Sequence, residues 1–360
     1  MWYTTKAAKI LGVDYPILQG PFGGNLSSVK LSALVSNMGG VGGYGAYTLT
    51  PEEIFALDTE LKKATNKPYN INLWVSDTDA PTGELPAATL RAARDLFQPY
   101  FDELGIPVPD KPLSFSPRFE DQVQVILDTR PPVFSFMFGI PSATILEQCR
   151  LRGIVTIGAA TTLDEAIALD NAGVDLIIAT GFEAGGHRPS FLASSETSLT
   201  GTFVLLQLIR EKVRTPVIAA GGIATGKGIA AALALGAGAV QIGTAFLACE
   251  ESNALEIHRE MLFSDAAKYT LLSRAFTGRL GRGLQSRISV ETRGKENGFL
   301  PFPLQTQFMS PLRQAAIAQK KWEMILFWGG QIAPVLKHKK AAELMNSLLE
   351  ETTAYFNDLR

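Results

Sequence analysis

Eight short apolar runs alternate along the chain with longer stretches of helical periodicity, and this alternation restricts the fold most. Apolar runs with little polar alternation, separated by helices, are typical of parallel strands that are buried on both faces. The predicted strands are residues 16–19, 40–45, 69–75, 133–136, 153–157, 174–178, 216–219 and 239–242. The predicted helices between them are residues 29–37, 51–65, 143–152, 163–172, 202–213 and 226–235. Eight such units predict an α/β fold of the (β/α)₈ TIM barrel type, with a doubly wound sheet as the alternative.

Two long segments depart from this regular spacing. Residues 76–132 separate the third and fourth predicted strands and hold Pro-rich loops around a predicted helix at 87–104. After the eighth strand, residues 251–305 are first helical and then basic and glycine-rich. We therefore predict a barrel at 1–250, enlarged by the 76–132 excursion over the active-site end. A small helical cap lobe that contacts substrate is predicted at 251–305, and C-terminal helices that pack on the barrel are predicted at 306–360.

Glycines follow the seventh and eighth predicted strands, where a barrel of this type usually binds phosphate. Gly221 and Gly222 come directly after the seventh strand, and Gly243 and Thr244 come directly after the eighth. Glycine lets the backbone approach a ligand closely, and the N–H groups of such loops can donate to phosphate oxygens. One Gly-Gly pair could be only a tight turn. Two such sites on consecutive strands predict a phosphate cradle.

His187 is the predicted catalytic residue. It follows Gly185 and Gly186 in a glycine-rich loop at the end of the sixth predicted strand. Histidine changes its charge near neutral pH, so it can act as an acid, a base or a hydrogen-bond donor. The neighbouring Glu183 and Arg188 could orient His187 or simply be solvated, and both interpretations remain open.

The first and third predicted strands carry further candidate ligand contacts. The first strand is followed by Gly20, Pro21 and Phe22, a compact backbone beside one aromatic ring that can pack against a flat ligand. Asn72 lies on the third strand, where the alternation of side chains directs it inward as a donor to a ligand. The residues expected in the core at the fourth strand are Phe134, Phe136 and Phe138.

The remaining histidines, the cysteines and the net charge give no sequence signal for a metal site, nucleic-acid binding or a membrane span. His258 and His338 lie in charged helical surroundings and are expected on the surface. Cys149 and Cys249 have neither a disulfide framework nor metal-ligand spacing, so no metal is predicted. A net charge of −2 provides no basic field for nucleic acid, and no segment has the pattern of a membrane span or a signal peptide. We expect a cytoplasmic protein that is a monomer or a homodimer.

Four segments together resemble the FMN-dependent nitronate monooxygenases, formerly called 2-nitropropane dioxygenases. They are residues 16–24 (PILQGPFGG), 181–188 (GFEAGGHR), 219–243 (AAGGIATGKGIAAALALGAGAVQIG) and 273–284 (SRAFTGRLGRGL). Residues 301–313 and 327–334 extend the resemblance to nearly the whole chain. The EAGGH run followed by AAGGI at this separation is specific, whereas any one fragment alone is not.

The resemblance implies that FMN binds at the mouth of the barrel. The residues that it places at the phosphate are Gly222, Gln241, Ile242, Gly243 and Thr244. The residues that it places along the isoalloxazine ring are Gly20, Pro21, Phe22 and Asn72. Gly185 would contact the ring or the ribityl chain, and His187 would be the active-site histidine. This chain departs from the common family pattern at Phe22, Thr180 and Pro189, where Met, Gln and Gly are frequent.

The implied activity is the oxidation of alkyl nitronates by O₂ to a carbonyl compound and nitrite. His187 would donate to a nitronate oxygen or, with a neutral nitroalkane, would remove the α-proton as a general base. The implied partners are therefore a small nitronate or nitroalkane and O₂. The nearest alternative is an FMN-dependent NAD(P)H reductase of the same superfamily, acting on a quinone or an enoyl thioester. A flavin-free barrel with a phosphorylated substrate and a non-catalytic binding protein are further alternatives.

Overall fold

The computed structural model describes residues 1–75, 85–111 and 118–358. Its strands are β1 (Ile17–Gln19), β2 (Gly42–Gly45), β3 (Tyr69–Trp74), β4 (Val133–Met137), β5 (Val155–Ala160), β6 (Leu176–Thr180), β7 (Gly186–His187), β8 (Val217–Ala220), β9 (Ala239–Ile242), β10 (Thr270–Ser273) and β11 (Gly281–Leu284). Within these ranges, eight parallel strands follow the order β1-β9-β8-β6-β5-β4-β3-β2. A parallel bridge between Leu18 and Val41 joins β1 to the start of β2 and nearly closes the sheet. The predicted (β/α)₈ barrel is confirmed.

Hydroxyl side chains begin many of the helices that connect the barrel strands. The helices are α1 (Lys6–Leu11), α2 (Val29–Asn37), α3 (Pro51–Ala64), α4 (Ala87–Glu103), α5 (Phe119–Thr129), α6 (Ala143–Leu151), α7 (Leu163–Ala172), α8 (Thr202–Lys212), α9 (Gly226–Ala234), α10 (Thr244–Leu247), α11 (Glu256–Leu262), α12 (Arg287–Glu291), α13 (Leu304–Ala318) and α14 (Ala341–Asp358). Ser28, Thr50, Thr162 and Thr225 each accept a hydrogen bond from a backbone N–H in the first turn of the following helix. These caps satisfy N–H groups that a helix start leaves unpaired.

Three apolar cores are present among the described residues, and the smallest includes Leu18, Ile178 and Ile218. The first fills the space between the strands and the surrounding helices and includes Phe134 and Phe136, as expected. The second includes Phe97 of α4 together with Phe308 and Leu312 of α13. Helix α4, inserted after β3, therefore packs with the segments that follow the barrel rather than with the barrel itself.

Helix α5 lies inside the 76–132 excursion and was not identified in the sequence. It packs against α3 and β3, and Gln122 Nε2 donates to the carbonyls of Tyr47 and Leu49 at 3.0 and 2.8 Å. The second half of the excursion thus supplies the barrel helix between β3 and β4. The Pro-rich loops predicted around the helix at 87–104 fall partly at residues 76–84 and 112–117, which lie outside the described residues. The boundaries proposed at 250 and 305 stay predictions.

A small antiparallel sheet joins the segment after the barrel to the loop that carries His187. Its strand order is β10-β11-β7. Gly281 pairs with His187 and Arg282 pairs with Gly186. The N–H of Arg188 donates to the carbonyl of Leu280, directly before β11, at 2.8 Å. The expectation of a glycine-loosened loop at His187 is therefore wrong. His187 lies on a short strand rather than in a loose loop, because the basic glycine-rich segment forms a strand that pairs with it.

The C-terminal helix α14 packs along α9. Glu351 of α14 accepts a hydrogen bond from the N–H of Gly226 at 2.9 Å, and Ser347 donates to the same carboxylate at 3.0 Å. A carboxylate at a helix amino terminus is stabilised by the unpaired N–H groups there. Helix α14 therefore fixes the start of α9, four residues beyond the Gly221–Gly222 turn.

Candidate active site

A cavity of about 430 Å³ lies where the carboxyl ends of the barrel strands meet the segments that follow β9. Strand ends such as Gly20 and later residues such as Thr277 and Trp328 line it together. Of the predicted site residues, Ile242 alone is absent from the lining, since its side chain is buried in the barrel core and its carbonyl accepts from the N–H of Gly20 at 2.9 Å. The predicted residues that the cavity brings together are Gly20, Pro21, Phe22, Asn72, Gly185, His187, Gly221, Gly222, Gln241, Gly243 and Thr244.

The ends of β8 and β9 have the features of a ligand cradle. Gly221 and Gly222 have φ values of 106° and 70°, in the left-handed region that other residues rarely adopt. On β9, Gln241 Oε1 is buried and has no hydrogen-bond partner among the described residues. A buried oxygen of this kind costs free energy unless a donor reaches it. The cradle therefore fits a ligand that carries O–H or N–H groups as well as phosphate, and FMN has both.

The side chains of Thr244 and Glu183 hold the walls beside this cradle. Thr244 Oγ1 accepts a hydrogen bond from the N–H of Gly330 at 2.9 Å, which ties the end of β9 to a later segment. Glu183 accepts from both the N–H and the hydroxyl of Thr202 at 2.9 Å, so its carboxylate caps the start of α8. The polar atoms of both side chains are thus used in the fold, which leaves the backbone groups of the turns for a ligand.

The buried side chain of Arg188 hydrogen-bonds to the backbone of the segment between β6 and α8. The residue is 1 % exposed, and its guanidinium donates to the carbonyls of Thr180, Gly181 and Ser198 at 3.0, 2.7 and 2.6 Å. Glu183 binds the other end of this loop. Within the described residues neither side chain hydrogen-bonds to the imidazole of His187, so both act on the loop and not on the histidine directly.

His187 is enclosed by aromatic rings. The centres of the Trp328, Trp74 and Phe138 rings lie 4.8, 5.1 and 6.5 Å from that of the imidazole. Its Nε2 is 2.9 Å from the hydroxyl of Thr277, while Nδ1 makes no hydrogen bond to any part of the chain that the structure describes. Because His187 lines the cavity, Nδ1 is the nitrogen that is available to a ligand.

The surroundings of His187 favour its uncharged form. Burial and, as a smaller effect, the positive charge of Arg279 lower the pKa of His187 to about 3. The guanidinium carbon of Arg279 lies 3.9 Å from the ring centre of Phe138 and 4.5 Å from that of Phe302. Phe138 was expected in the core, and this expectation is wrong. The residue is half-buried with a φ of 66°, and its ring face is used by the cation.

His258 is a second cavity residue, and the expectation that it lies on the surface is wrong. It is 4 % exposed because α11 places His258 and Leu262, one turn apart, on its buried face. Its Nε2 donates to the carbonyl of Trp328 at 2.7 Å. Burial lowers the pKa of His258 to about 4. His258 therefore positions Trp328, whose ring in turn contacts His187.

Sequence reasoning did not identify Thr277 and Trp328 as site residues. Both lie in segments that carried the family resemblance, 273–284 and 327–334. No residue type or spacing within those segments distinguishes them, because each acts through a partner that is far away in the chain. Asn72, in contrast, was identified. Its Nδ2 donates to Ser135 Oγ at 2.9 Å, which leaves Oδ1 and the second N–H of Nδ2 for a ligand.

Within the described ranges, no cluster of three or more His, Cys, Asp or Glu side chains is placed to hold a metal ion. Burial raises the pKa values of the free thiols of Cys149 and Cys249 to about 11 and about 12. Among the helices of residues 1–75, 85–111 and 118–358, none is long and apolar enough to cross a membrane.

The chain is similar to known proteins along its whole length. The profile of a family described as nitronate monooxygenase matches residues 4–351. A probable nitronate monooxygenase of Staphylococcus haemolyticus (strain JCSC1435) is 34% identical over 362 aligned residues, which cover 100% of both chains.

Two solved structures are similar to the chain over nearly its whole length. The structure of nitroalkane oxidase from Streptomyces ansochromogenes superposes with a TM-score of 0.89 at 32% identity, covering 98% of this chain and 100% of that one. FabK from Thermotoga maritima superposes with a TM-score of 0.75 at 26% identity, covering 99% and 98%. The profile match and the full-length relative decide the assignment: the chain belongs to the nitronate monooxygenase family of flavin-dependent oxidoreductases.

Proposed function

We propose that this protein uses FMN to oxidise alkyl nitronates with O₂, giving a carbonyl compound and nitrite. The observation that carries the proposal is the environment of His187, an uncharged imidazole enclosed by aromatic rings with Nδ1 available to a ligand. Family membership supports a flavin-dependent oxidation. The similarity to a nitroalkane oxidase supports a nitro compound or its anion as the substrate.

The cradle residues are proposed to hold FMN. The residues at the phosphate would be Gly222, Gln241, Ile242, Gly243 and Thr244, with Gly221 shaping the turn. They would act chiefly through backbone N–H groups, since the hydroxyl of Thr244 already accepts from Gly330. The residues along the ring would be Gly20, Pro21, Phe22, Asn72 and Gly185. When bound, FMN supplies the two-electron oxidation of the substrate and, once reduced, the reaction with O₂.

His187 would determine which form of the substrate is used. A nitronate is an anion that is already deprotonated at carbon, so its oxidation needs no strong base. A proton donor at His187 would hold a nitronate oxygen in an enclosure with little water, where such a contact is strong. A neutral nitroalkane would instead have to lose its α-proton to His187. The low pKa of His187 makes it a weak base, so we expect nitronates to be the better substrates.

Anaerobic mixing of the purified yellow protein with propyl-2-nitronate, and separately with NADH or NADPH, tests the proposal. We expect the nitronate alone to reduce the flavin and nitrite to appear when air is admitted. His187→Asn should slow flavin reduction by about 10²- to 10³-fold, whereas His338→Asn, a histidine outside the cavity, should not. Reduction by the nicotinamide alone would contradict the proposal and support the NAD(P)H-dependent reductase.

A further inference from the structure

The hydroxyl of Thr277 determines which nitrogen of His187 carries a proton. Thr277 Oγ1 lies 2.9 Å from His187 Nε2, 3.1 Å from the carbonyl oxygen of Arg279 and 3.3 Å from the N–H of Arg279. A hydroxyl has one proton and two acceptor positions. It can therefore donate either to Nε2 or to the Arg279 carbonyl, but not to both.

One arrangement satisfies all three groups around this hydroxyl. Thr277 donates to the carbonyl of Arg279 and accepts two hydrogen bonds, one from the N–H of Arg279 and one from a protonated His187 Nε2. If Thr277 donated to Nε2 instead, the Arg279 carbonyl would lose the donor that lies 3.1 Å away. Half-buried polar groups that lose a partner cost free energy, so the first arrangement is favoured. The uncharged imidazole then presents the lone pair of Nδ1 to the cavity.

An anion that approaches this lone pair changes the preferred charge of the histidine. A lone pair repels a negatively charged oxygen, whereas a proton on Nδ1 attracts it, and a nearby anion favours the imidazolium form. The hydrogen bond from Nε2 to Thr277 is the same in the imidazole and in the imidazolium, because Nε2 is protonated in both. The ring therefore accepts a proton without rotating.

Among the described residues, the charged groups around His187 do not stabilise its imidazolium form. Arg279 opposes the imidazolium, and the other wall residues, Trp74, Phe138 and Trp328, carry no charge. On the segment of His187 itself, Glu183 caps α8 and Arg188 binds backbone carbonyls. His258, behind Trp328, is held uncharged by burial. No carboxylate of the described residues forms an ion pair with His187, so we expect a bound anion to supply the compensating charge.

We propose that Thr277 holds His187 with its proton on Nε2, so that an anionic substrate binds at Nδ1 together with one proton. Thr277 is then a positioning residue, since it acts on the substrate through His187. This inference rests on the proposed function for the identity of that substrate, a planar anion with two oxygens on nitrogen. It goes further in stating that substrate and proton bind as a unit.

Calorimetry on the flavin-loaded protein measures the coupling directly. Nitrate serves as the probe, because it is a planar anion with oxygens on nitrogen that the enzyme cannot oxidise. Titrations at pH 7 in two buffers of different ionisation enthalpy should show uptake of about one proton per nitrate. Because the pKa of His187 in the free protein lies well below 7, the affinity should fall about tenfold for each pH unit across the range around pH 7. Binding of nitrate without proton uptake would overturn the proposal.

Substitutions at Thr277 separate positioning from a general structural effect. Thr277→Val removes the acceptor for the Nε2 proton. The neutral ring should then carry its proton on Nδ1 and donate to nitrate without taking up a second proton. Proton uptake should then fall well below one while nitrate still binds, and Thr277→Ser should restore it. Thr292→Val is the matched control. Thr292 is a buried threonine of the same lobe whose hydroxyl donates to the carbonyl of Ile288 at 2.7 Å, and its replacement should keep the wild-type proton count.

A spectroscopic measurement keeps the proposal testable if nitrate binds too weakly. The chain has three histidines, so nitrogen-15 spectra with assignment by His→Asn variants can identify the tautomer of each. We expect His187 to carry its proton on Nε2 in the wild type and to change in Thr277→Val, and a wild-type Nδ1 tautomer would overturn the inference. Failure of propyl-2-nitronate to reduce the flavin would instead contradict the proposed function and leave the tautomer result unaffected.

Discussion

One buried atom of Gln241 provides a test of the proposed cofactor cradle. Its Oε1 has no partner among the described residues, so Gln241→Leu removes an unsatisfied group. We expect the flavin-free protein to keep its stability or to gain up to about 1 kcal/mol, and the affinity for FMN to fall about tenfold. Thermal unfolding of the flavin-free protein and titration of FMN fluorescence measure the two effects.

Gln124→Leu provides the control for this substitution. Gln124 is exposed on α5 and donates to Asp128 at 2.9 Å, so its replacement should leave FMN affinity unchanged. A Gln241→Leu protein that is less stable but binds FMN normally would show that Oε1 has a partner within the fold and no role in the cradle.

Single residues could be recognised in the sequence where the backbone itself limits the choice of side chain. Gly221 and Gly222 stand where φ is positive, and their position directly after a strand is the feature that predicts the phosphate cradle. Thr277 gave no such signal. Its importance comes from a hydroxyl that contacts a histidine 90 positions earlier in the chain. A threonine by itself does not indicate such a contact, because this residue type is common in surface segments.

At the scale of elements, the ladder between β7 and β11 determines the shape of the pocket around His187. A Cβ added at Gly281 would lie 2.8 Å from the Trp328 ring, closer than side chains normally approach. Gly281→Ala should therefore displace Trp328 from His187 and lower the rate of flavin reduction by nitronate about tenfold or more. FMN content should remain normal, because the cradle is on β8 and β9. Anaerobic stopped-flow absorbance measures the rate, and protein-bound flavin measures the content.

Gly228→Ala is the corresponding control on α9. A Cβ there would have no neighbour closer than 3.5 Å, and alanine is favoured over glycine within a helix. This protein should be slightly more stable and should react at the wild-type rate. An unchanged rate in Gly281→Ala would mean that Trp328 does not position His187.

The regular elements of the barrel could be predicted from local sequence, and the irregular ones could not. Helices α2 and α7 were predicted at the observed residues, because Ser28 and Thr162 cap them and apolar positions recur on one face. Strand β7 has only two residues, and β11 is rich in glycine and arginine. Neither shows alternation or β-branched residues, since their pairing depends on each other and not on a shared apolar face.

At the scale of the whole molecule, two buried histidines make the fold sensitive to acid. His187 and His258 have pKa values of about 3 and about 4 in the fold, both below the value of about 6.5 in an unfolded chain. Between pH 6.5 and 4 the unfolded chain therefore binds more protons than the folded protein. Stability is complete above pH 6.5 and falls as the pH decreases, with each histidine contributing up to about 1.4 kcal/mol per pH unit to the slope.

Urea denaturation at pH 7, 6 and 5 measures this slope. His258→Gln keeps a donor for the Trp328 carbonyl but cannot be protonated, so it should reduce the slope by about 1.4 kcal/mol per pH unit. An equal slope in His258→Gln and the wild type would show that His258 titrates in the fold as it does when unfolded.

The division of the cavity between two parts of the chain also bears on how such an enzyme changes over evolutionary time. The turns proposed to bind the cofactor belong to β8 and β9, whereas Thr277, Gly281 and Trp328 come from segments that follow the barrel. Mutations that accumulate after residue 270 can alter the substrate pocket while the turns proposed to hold FMN stay intact. A lineage can therefore explore new substrates without passing through an ancestor that has lost its cofactor.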